Sequence, residues 1–134
     1  YVQEQGATVG KTGKTLVVCK AKEKLPEMTA KRNAIVKRYN EAFGYDRKGN
    51  HVYPIFVADR DLFMEQMSKS NIQCTVHFKP LHLMTGYYKY KVPLRNTEFI
   101  GDKIVSIPLY PQMTEKEQDY VIKNVLKTKL LLHG

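Results

Sequence analysis

The sequence predicts an α+β fold: a small, three-stranded, mainly antiparallel sheet with helices packed on one side. Three observations lead there. Segments of helical period alternate with short β-branched runs along 134 residues, the length of one domain. The connectors between them are rich in Gly, Pro, Asn and Asp, which favour tight turns over long parallel crossovers. An apolar share of 43% beside a charged share of 26% is enough for a core, which excludes a disordered chain. No apolar run approaches the length of a transmembrane helix, and no N-terminal signal segment is evident.

Residues 1–15 are polar and glycine-bearing with no apolar period, and read as a flexible arm ahead of a domain over residues 16–134. Gly10-Lys11-Thr12 and Gly13-Lys14-Thr15 each end like a phosphate-binding loop. Gly6 stands one residue too near the first, and Thr8 occupies the glycine position required by the second. No strand precedes either copy, so neither is expected to cradle phosphate. Residues 16–25 begin β-branched and continue helix-favouring, which leaves them open between strand and helix. Pro26 suits the first turn of a new helix. That helix runs over residues 27–43, with Ile35, Val36, Tyr39, Ala42 and Phe43 on one stripe and Lys31, Lys37, Arg38 and Glu41 opposite. Arg32 falls inside the apolar stripe and reads as a snorkelling side chain.

A polar turn over residues 44–50 leads into a β-rich run at residues 51–58, where Pro54 indicates an edge strand or a bulge. Asp59 or Asp61 then caps a helix to about Ser70, with Leu62, Phe63 and Met67 for its inner face and Asn71 as its stop. Residues 72–78 alternate Ile72, Cys74, Val76 and Phe78 against Gln73, Thr75 and His77, a half-buried strand. Residues 79–92 hold Tyr87, Tyr88 and Tyr90 and read as a long functional loop with a helical turn. Asn96 opens a short helix to about Gly101, and residues 103–109 form the third strand, stopped by Pro108 and Pro111. Thr114 and Glu117 make a capping box for the last helix, whose stripe is Val121, Ile122, Val125 and Leu126.

The net charge is +9, and residues 1–50 carry 11 basic against 5 acidic side chains. Such a balance suits nucleic acid, an anionic small ligand or a merely solvated surface, and the charge does not choose among them. The two cysteines, Cys19 and Cys74, read as free thiols in a reducing compartment, which implies the cytoplasm. No cysteine or histidine spacing fits a metal site. His77 lies on the strand face opposite the apolar residues. There it either hydrogen-bonds a ligand and shuttles protons near neutral pH, or simply meets solvent, and spacing alone favours the second. His82 sits five residues on, with Pro80 between them opposing a helical metal pair. The lysine–tyrosine run at residues 87–91 is able to stack bases and neutralise phosphates, though such loops are common. No serine lies on a strained elbow, and no carboxylate pair has acid–base spacing.

Residues 71–83 (NIQCTVHFKPLHL) resemble the "GI-x4-H-[FY]-x-PLH" segment of the DegT/DnrJ/StrS group of sugar-nucleotide aminotransferases. Residues 104–111 (IVSIPLYP) are similar to their "LSLPLYP" strand, and a Thr-Glu-capped last helix follows as in that group. Lys24-Leu25-Pro26 with Arg32 and Tyr39 resembles the "KLP…R…Y" entrance to the same region, and residues 52–57 match its first sheet strand. Asn71 stands where the group often has Gly. In order and spacing the resemblance covers about residues 20–130.

The resemblance implies the C-terminal small domain of an enzyme of fold type I that depends on pyridoxal phosphate. Such enzymes hold the cofactor on a lysine of a large domain, pair two subunits around each active site, and aminate a nucleotide-linked keto-sugar, usually from glutamate. The cofactor lysine, the acidic partner of the pyridine nitrogen and the phosphate-binding turn have no counterpart in these residues. The chain is therefore expected to be a fragment or incomplete subunit, inactive alone and binding no cofactor alone. By the same resemblance His77 borders the sugar-nucleotide site, with His82 and Tyr88 as further substrate-binding candidates, and the pathway is surface-polysaccharide or amino-sugar biosynthesis. The alternative is a basic nucleic-acid-binding or protein-interaction module without catalysis, although nucleic acid is not the expected partner.

Overall fold

The structure, a computed structural model, describes the backbone of residues 13–133 and the side chains of residues 23–132. Its elements run α1 (Gly13–Phe43), β1 (Tyr53–Phe56), α2 (Arg60–Lys69), α3 (Arg95–Lys103), β2 (Ile104–Ile107) and α4 (Glu115–His133). Two 3-10 turns, Leu81–Leu83 and Thr85–Tyr90, fill the segment between α2 and α3. Of the flexible arm expected over residues 1–15, residues 1–12 lie outside the described residues, and residues 13–15 form the first turn of α1 instead.

Helix α1 is one element of 31 residues that includes the ambiguous residues 16–25 and carries Pro26 inside it, not at the start of a new helix. Proline removes one N–H and crowds the carbonyl four residues back, a cost of about 3 kcal/mol. Residues 23–27 are exposed, so water is free to solvate the released carbonyl while helix formers on both sides carry the helix through. Further along, Ile35, Val36 and Tyr39 are buried as the stripe predicts, and Arg32 is half-buried at its edge. Arg38, assigned to the solvent arc, instead bridges to α4, with Nη2 2.5 Å from Asp119 Oδ1 and Nη1 donating to the Glu115 carbonyl at 3.2 Å.

The strands pair antiparallel, Tyr53 opposite Ile107 and Ile55 opposite Val105, so these four apolar side chains share one face. They join Ile35, Val36 and Tyr39 of α1, Phe63 and Met67 of α2, and Val121 and Val125 of α4 in one core. Pro54 lies opposite Ser106, whose backbone N–H and C=O both turn away to Thr75. Alternation of the ladder therefore leaves Pro54 at a position that needs no N–H, as an edge strand requires.

The three-stranded sheet is corrected to two strands. Of the strand expected over residues 72–78 only an antiparallel bridge remains, with Thr75 N donating to Ser106 O at 3.0 Å and Ser106 N donating to Thr75 O at 2.7 Å. The flanking pairs in that register are Gln73 with Pro108 and His77 with Ile104. Pro108 has no N–H, and the Ile104 N–H already closes α3 on the Ile100 carbonyl, so neither pair extends the ladder. The predicted alternation holds through buried Ile72 and Cys74 and ends at Phe78, which is 73% exposed.

Asp59 is the cap of α2, accepting from Leu62 N at 3.0 Å, and Asn71 ends the helix region at φ 55° in the left-handed region that Asn tolerates. Leu62 points outward, because Phe63 and Met67 at i, i+4 spacing take the inner face. In α4 the buried positions are Gln118, Val121, Val125 and Thr128, which leaves Leu126 exposed on the flank. Gln118 is satisfied in the core by donating to the Ile35 carbonyl at 2.8 Å.

The capping box of α4 is formed. Thr114 N donates to Glu117 Oε2 at 2.7 Å and Glu117 N donates to Thr114 Oγ1 at 3.2 Å. These donors, the Thr114 N–H foremost, hold the Glu117 carboxyl below the usual glutamate value. A depressed folded-state pKa contributes stability above the unfolded value and loses it as the pH falls through the folded one. The chain is thus expected to lose stability as it is acidified below about 4.5, measured as melting temperature against pH. Thr114→Ala should cost about 1 kcal/mol and flatten part of that dependence. An unchanged acid profile in this variant contradicts the assignment.

Candidate functional site

The end of β2 and the start of α4 frame an open cleft of about 810 Å³. It is lined by Asn71, Ile72, Gln73, Thr75 and His77 of the segment after α2, by Ser106–Tyr110 of β2 and its continuation, by Met113, Lys116, Glu117, Tyr120 and Val121 around the α4 entrance, and by His51 and Val52. The strand period explains the floor. Val105 and Ile107 face the core, so Ser106 between them is turned to the opposite face, where it is nonetheless only 3% exposed. The Thr75–Ser106 bridge lays the next residues over that hydroxyl.

His77 is the result. Its Nδ1 lies 3.0 Å from Ser106 Oγ and 3.4 Å from Thr75 Oγ1. Its Nε2 has no hydrogen-bond partner among the described residues. A hydroxyl is able to donate or accept, so these contacts fix the ring's position without choosing its tautomer. The half-buried imidazole is a hydrogen-bonding group on the cleft wall, neither sealed inside nor loose in solvent. Ser106 sits within a strand, and among the described residues no carboxylate hydrogen-bonds the imidazole, so the arrangement lacks the third member of a nucleophile triad there. The His77–Phe78 peptide is cis.

His82 and Tyr88 are not brought to the same wall. His82 is 8% exposed in the first 3-10 turn, with Nε2 3.0 Å from Glu98 Oε1. Tyr88 is exposed in the second turn, and Lys91 Nζ lies 5.4 Å from its ring centroid. Lys89 stands likewise over Tyr90, at 4.9 Å. Phe78, Leu81, Tyr87, Tyr88, Tyr90 and Phe99 are all exposed, which concentrates apolar surface on this part of the chain. Spacing missed Ser106 and Glu98. The one signal for Ser106 was a lone polar residue inside an apolar strand, whereas nothing local marked Glu98 as the partner of a histidine 16 residues earlier.

Among the described residues no group of three or more His, Cys, Asp or Glu side chains is arranged to hold a metal ion. Burial pushes the Cys74 thiol up to about 11, so it stays protonated and unreactive at neutral pH. No helix among the described residues is long and apolar enough to cross a membrane. Pyridoxal phosphate asks for an imine-forming lysine, a carboxylate for its ring nitrogen and an anion-binding helix N-terminus. The cleft offers Lys116, exposed on the first turn of α4, and the N-terminus of that helix is already taken by Glu117. The cleft residues do not fit the cofactor.

The profile of the DegT/DnrJ/EryC1/StrS aminotransferase family matches residues 14–126. An uncharacterized protein of Methanocaldococcus jannaschii is 31% identical over 122 residues, an alignment covering 75% of this chain and 32% of that protein. A DegT DnrJ EryC1 StrS aminotransferase from Brucella abortus superposes with a TM-score of 0.70 at 29% identity, over 80% of this chain and 32% of the other. Helicobacter pylori PseC, an aminotransferase involved in the biosynthesis of pseudoaminic acid, superposes with a TM-score of 0.73 at 23% identity, over 81% and 34%. The chain spans about a third of the length of these relatives.

Proposed function

The chain belongs to the DegT/DnrJ/EryC1/StrS aminotransferase family, and on that premise we propose that it is the C-terminal small domain of an aminotransferase acting on a nucleotide-linked keto-sugar. The observation that carries this reading is the family match over residues 14–126 in a chain one third as long as the relatives it matches. The exposed aromatic and aliphatic side chains of residues 78–100 support it. Exposed apolar side chains gathered in one segment are what a domain presents to another body of protein, here the large domain of the same enzyme or its symmetry mate in a homodimer.

Bound to that large domain, pyridoxal phosphate would supply the electron sink for moving an amino group from glutamate to the sugar. The residues of this chain do the rest of the work at the rim. His77, braced by Ser106 and Thr75, keeps Nε2 for a hydroxyl of the sugar nucleotide. His82 and Tyr88, which lie off that wall in the two turns that follow, are the further substrate-binding candidates where the large domain extends the site. The product belongs to amino-sugar or surface-polysaccharide biosynthesis in the cytoplasm.

Fusing the chain to the large domain of a family member tests the reading. Glutamate-dependent amination of a nucleotide-linked keto-sugar should appear in the fusion and in neither part alone. A silent fusion, beside an active control carrying the donor's own small domain, overturns it. In the active fusion, His77→Ala should lower kcat/KM about tenfold, the worth of one hydrogen bond. Unchanged kinetics removes His77 from the site.

A further inference from the structure

We propose that Glu98 is a positioning residue for His82, holding the imidazole as the Nε2–H tautomer so that Nδ1 stands as a neutral acceptor for a hydroxyl or amine of the sugar substrate. The inference rests on the reading of the chain as the small domain of a sugar aminotransferase. It adds which nitrogen meets the substrate, what kind of group it meets, and which residue decides both.

The argument begins with the contact between His82 Nε2 and Glu98 Oε1, 3.0 Å long. A carboxylate has no proton to donate, so a hydrogen bond of this length places a proton on Nε2, and in the neutral ring the lone pair is then on Nδ1. Glu98 is held ionised for the purpose. The His82 hydrogen bond, and after it the Leu94 N–H, keep its carboxyl below the usual glutamate range. The same Oε1 accepts that Leu94 N–H at 3.2 Å, which ties the carboxylate to the first turn of α3 and limits its rotation. Nδ1 has no partner among the described residues and is not one of the fully buried, unsatisfied atoms. It therefore keeps its capacity to accept.

The turn bearing His82 is fixed to α3 a second time. Pro80 packs so closely on Gly101 that a Cβ there would lie 2.5 Å from Pro80 Cγ, and Arg60 Nη1 donates to the Gly101 carbonyl. A histidine set on two contacts to one helix has a defined ring plane as well as a defined tautomer.

Nitrogen-15 spectra of the 134-residue chain in alkaline buffer, where the ring is neutral, read the tautomer directly. Wild type should show Nε2 as the protonated nitrogen, and Glu98→Ala should show shifts averaged between the two tautomers. An Nδ1–H tautomer in wild type, or no change in the variant, overturns the proposal. Glu98→Gln, which keeps the shape and an acceptor oxygen but adds a competing donor, should move the shifts part of the way and guards against simple unfolding. In the active fusion, Glu98→Ala and His82→Ala should each lower kcat/KM about tenfold, and the double variant should fall no further. If His82→Ala is harmless, His82 is no substrate contact and the inference falls with that assignment, while an active fusion leaves the domain reading intact. If His82→Ala is harmful but Glu98→Ala adds to it independently, the positioning role alone is refuted.

Discussion

Replacing Tyr39 by alanine is expected to destabilise the chain by about 3–5 kcal/mol, the range for removing a fully buried aromatic ring. Tyr39 is 0% exposed, its ring centroid 4.9 Å from that of Tyr53 and 5.7 Å from that of Phe43. Its hydroxyl donates to the Pro108 carbonyl at 2.8 Å, which joins α1 to the floor of the cleft. Burial drives the phenol's pKa far upward, so the group remains a donor at any working pH. Tyr39→Phe separates the two contributions, because it keeps the ring and leaves the Pro108 carbonyl without this donor, a loss of about 1 kcal/mol. Urea unfolding of both variants decides the matter. Near-equal losses in the two would mean that the hydrogen bond, and not the packing, is what Tyr39 supplies.

Gly101→Ala is the second large effect, and here two terms oppose each other. Gly101 lies within α3, where alanine should gain about 1 kcal/mol of helix propensity. The new Cβ, however, would meet Pro80 Cγ at 2.5 Å and Cδ at 2.9 Å. A pyrrolidine ring cannot swing aside as a flexible side chain does, so the turn itself must move, and overpacking of this kind costs about 1–3 kcal/mol. The variant should melt below wild type and shift the ring resonances of His82, because Pro80 and His82 share one turn. Any rise in melting temperature would show that the turn yields cheaply, and would weaken the case that α3 holds the histidine rigidly.

Much of the architecture was legible because it is local. The α2 cap, open in sequence between Asp59 and Asp61 and supplied by Asp59, the stop at Asn71 and the Thr114–Glu117 box are all set by residues within three or four positions of one another. The inward stripe of α1 and the edge position of Pro54 follow from periodicity and from a missing N–H. The strand count is not legible for the opposite reason. Residues 72–78 have the alternation of a strand, but a ladder also needs a partner with free N–H groups. Pro108 lacks one, and α3 uses that of Ile104. Pro26 failed as a punctuation mark because its exposed surroundings tolerate the carbonyl it releases.

The candidate site divides along the same line. His77 was singled out from its strand position and its resemblance, and it does line the cleft. The Ser106 hydroxyl beneath it is 29 residues away in sequence, and the Glu98 carboxylate on His82 is 16 away, so no spacing rule reaches either. Likewise, Leu62 and Leu126 are as apolar as their neighbours, and only the placement of the other helices decides that they stay outside.

The order of amino acids by itself determined the helix limits set by caps, the α+β class, and the motif residues that carry the family resemblance, because those depend on short-range backbone chemistry and on side-chain period. Tertiary structure alone decided how many strands hydrogen-bond, which polar groups meet each histidine and which apolar faces stay uncovered. Those outcomes depend on distant segments competing for the same N–H groups and the same core volume.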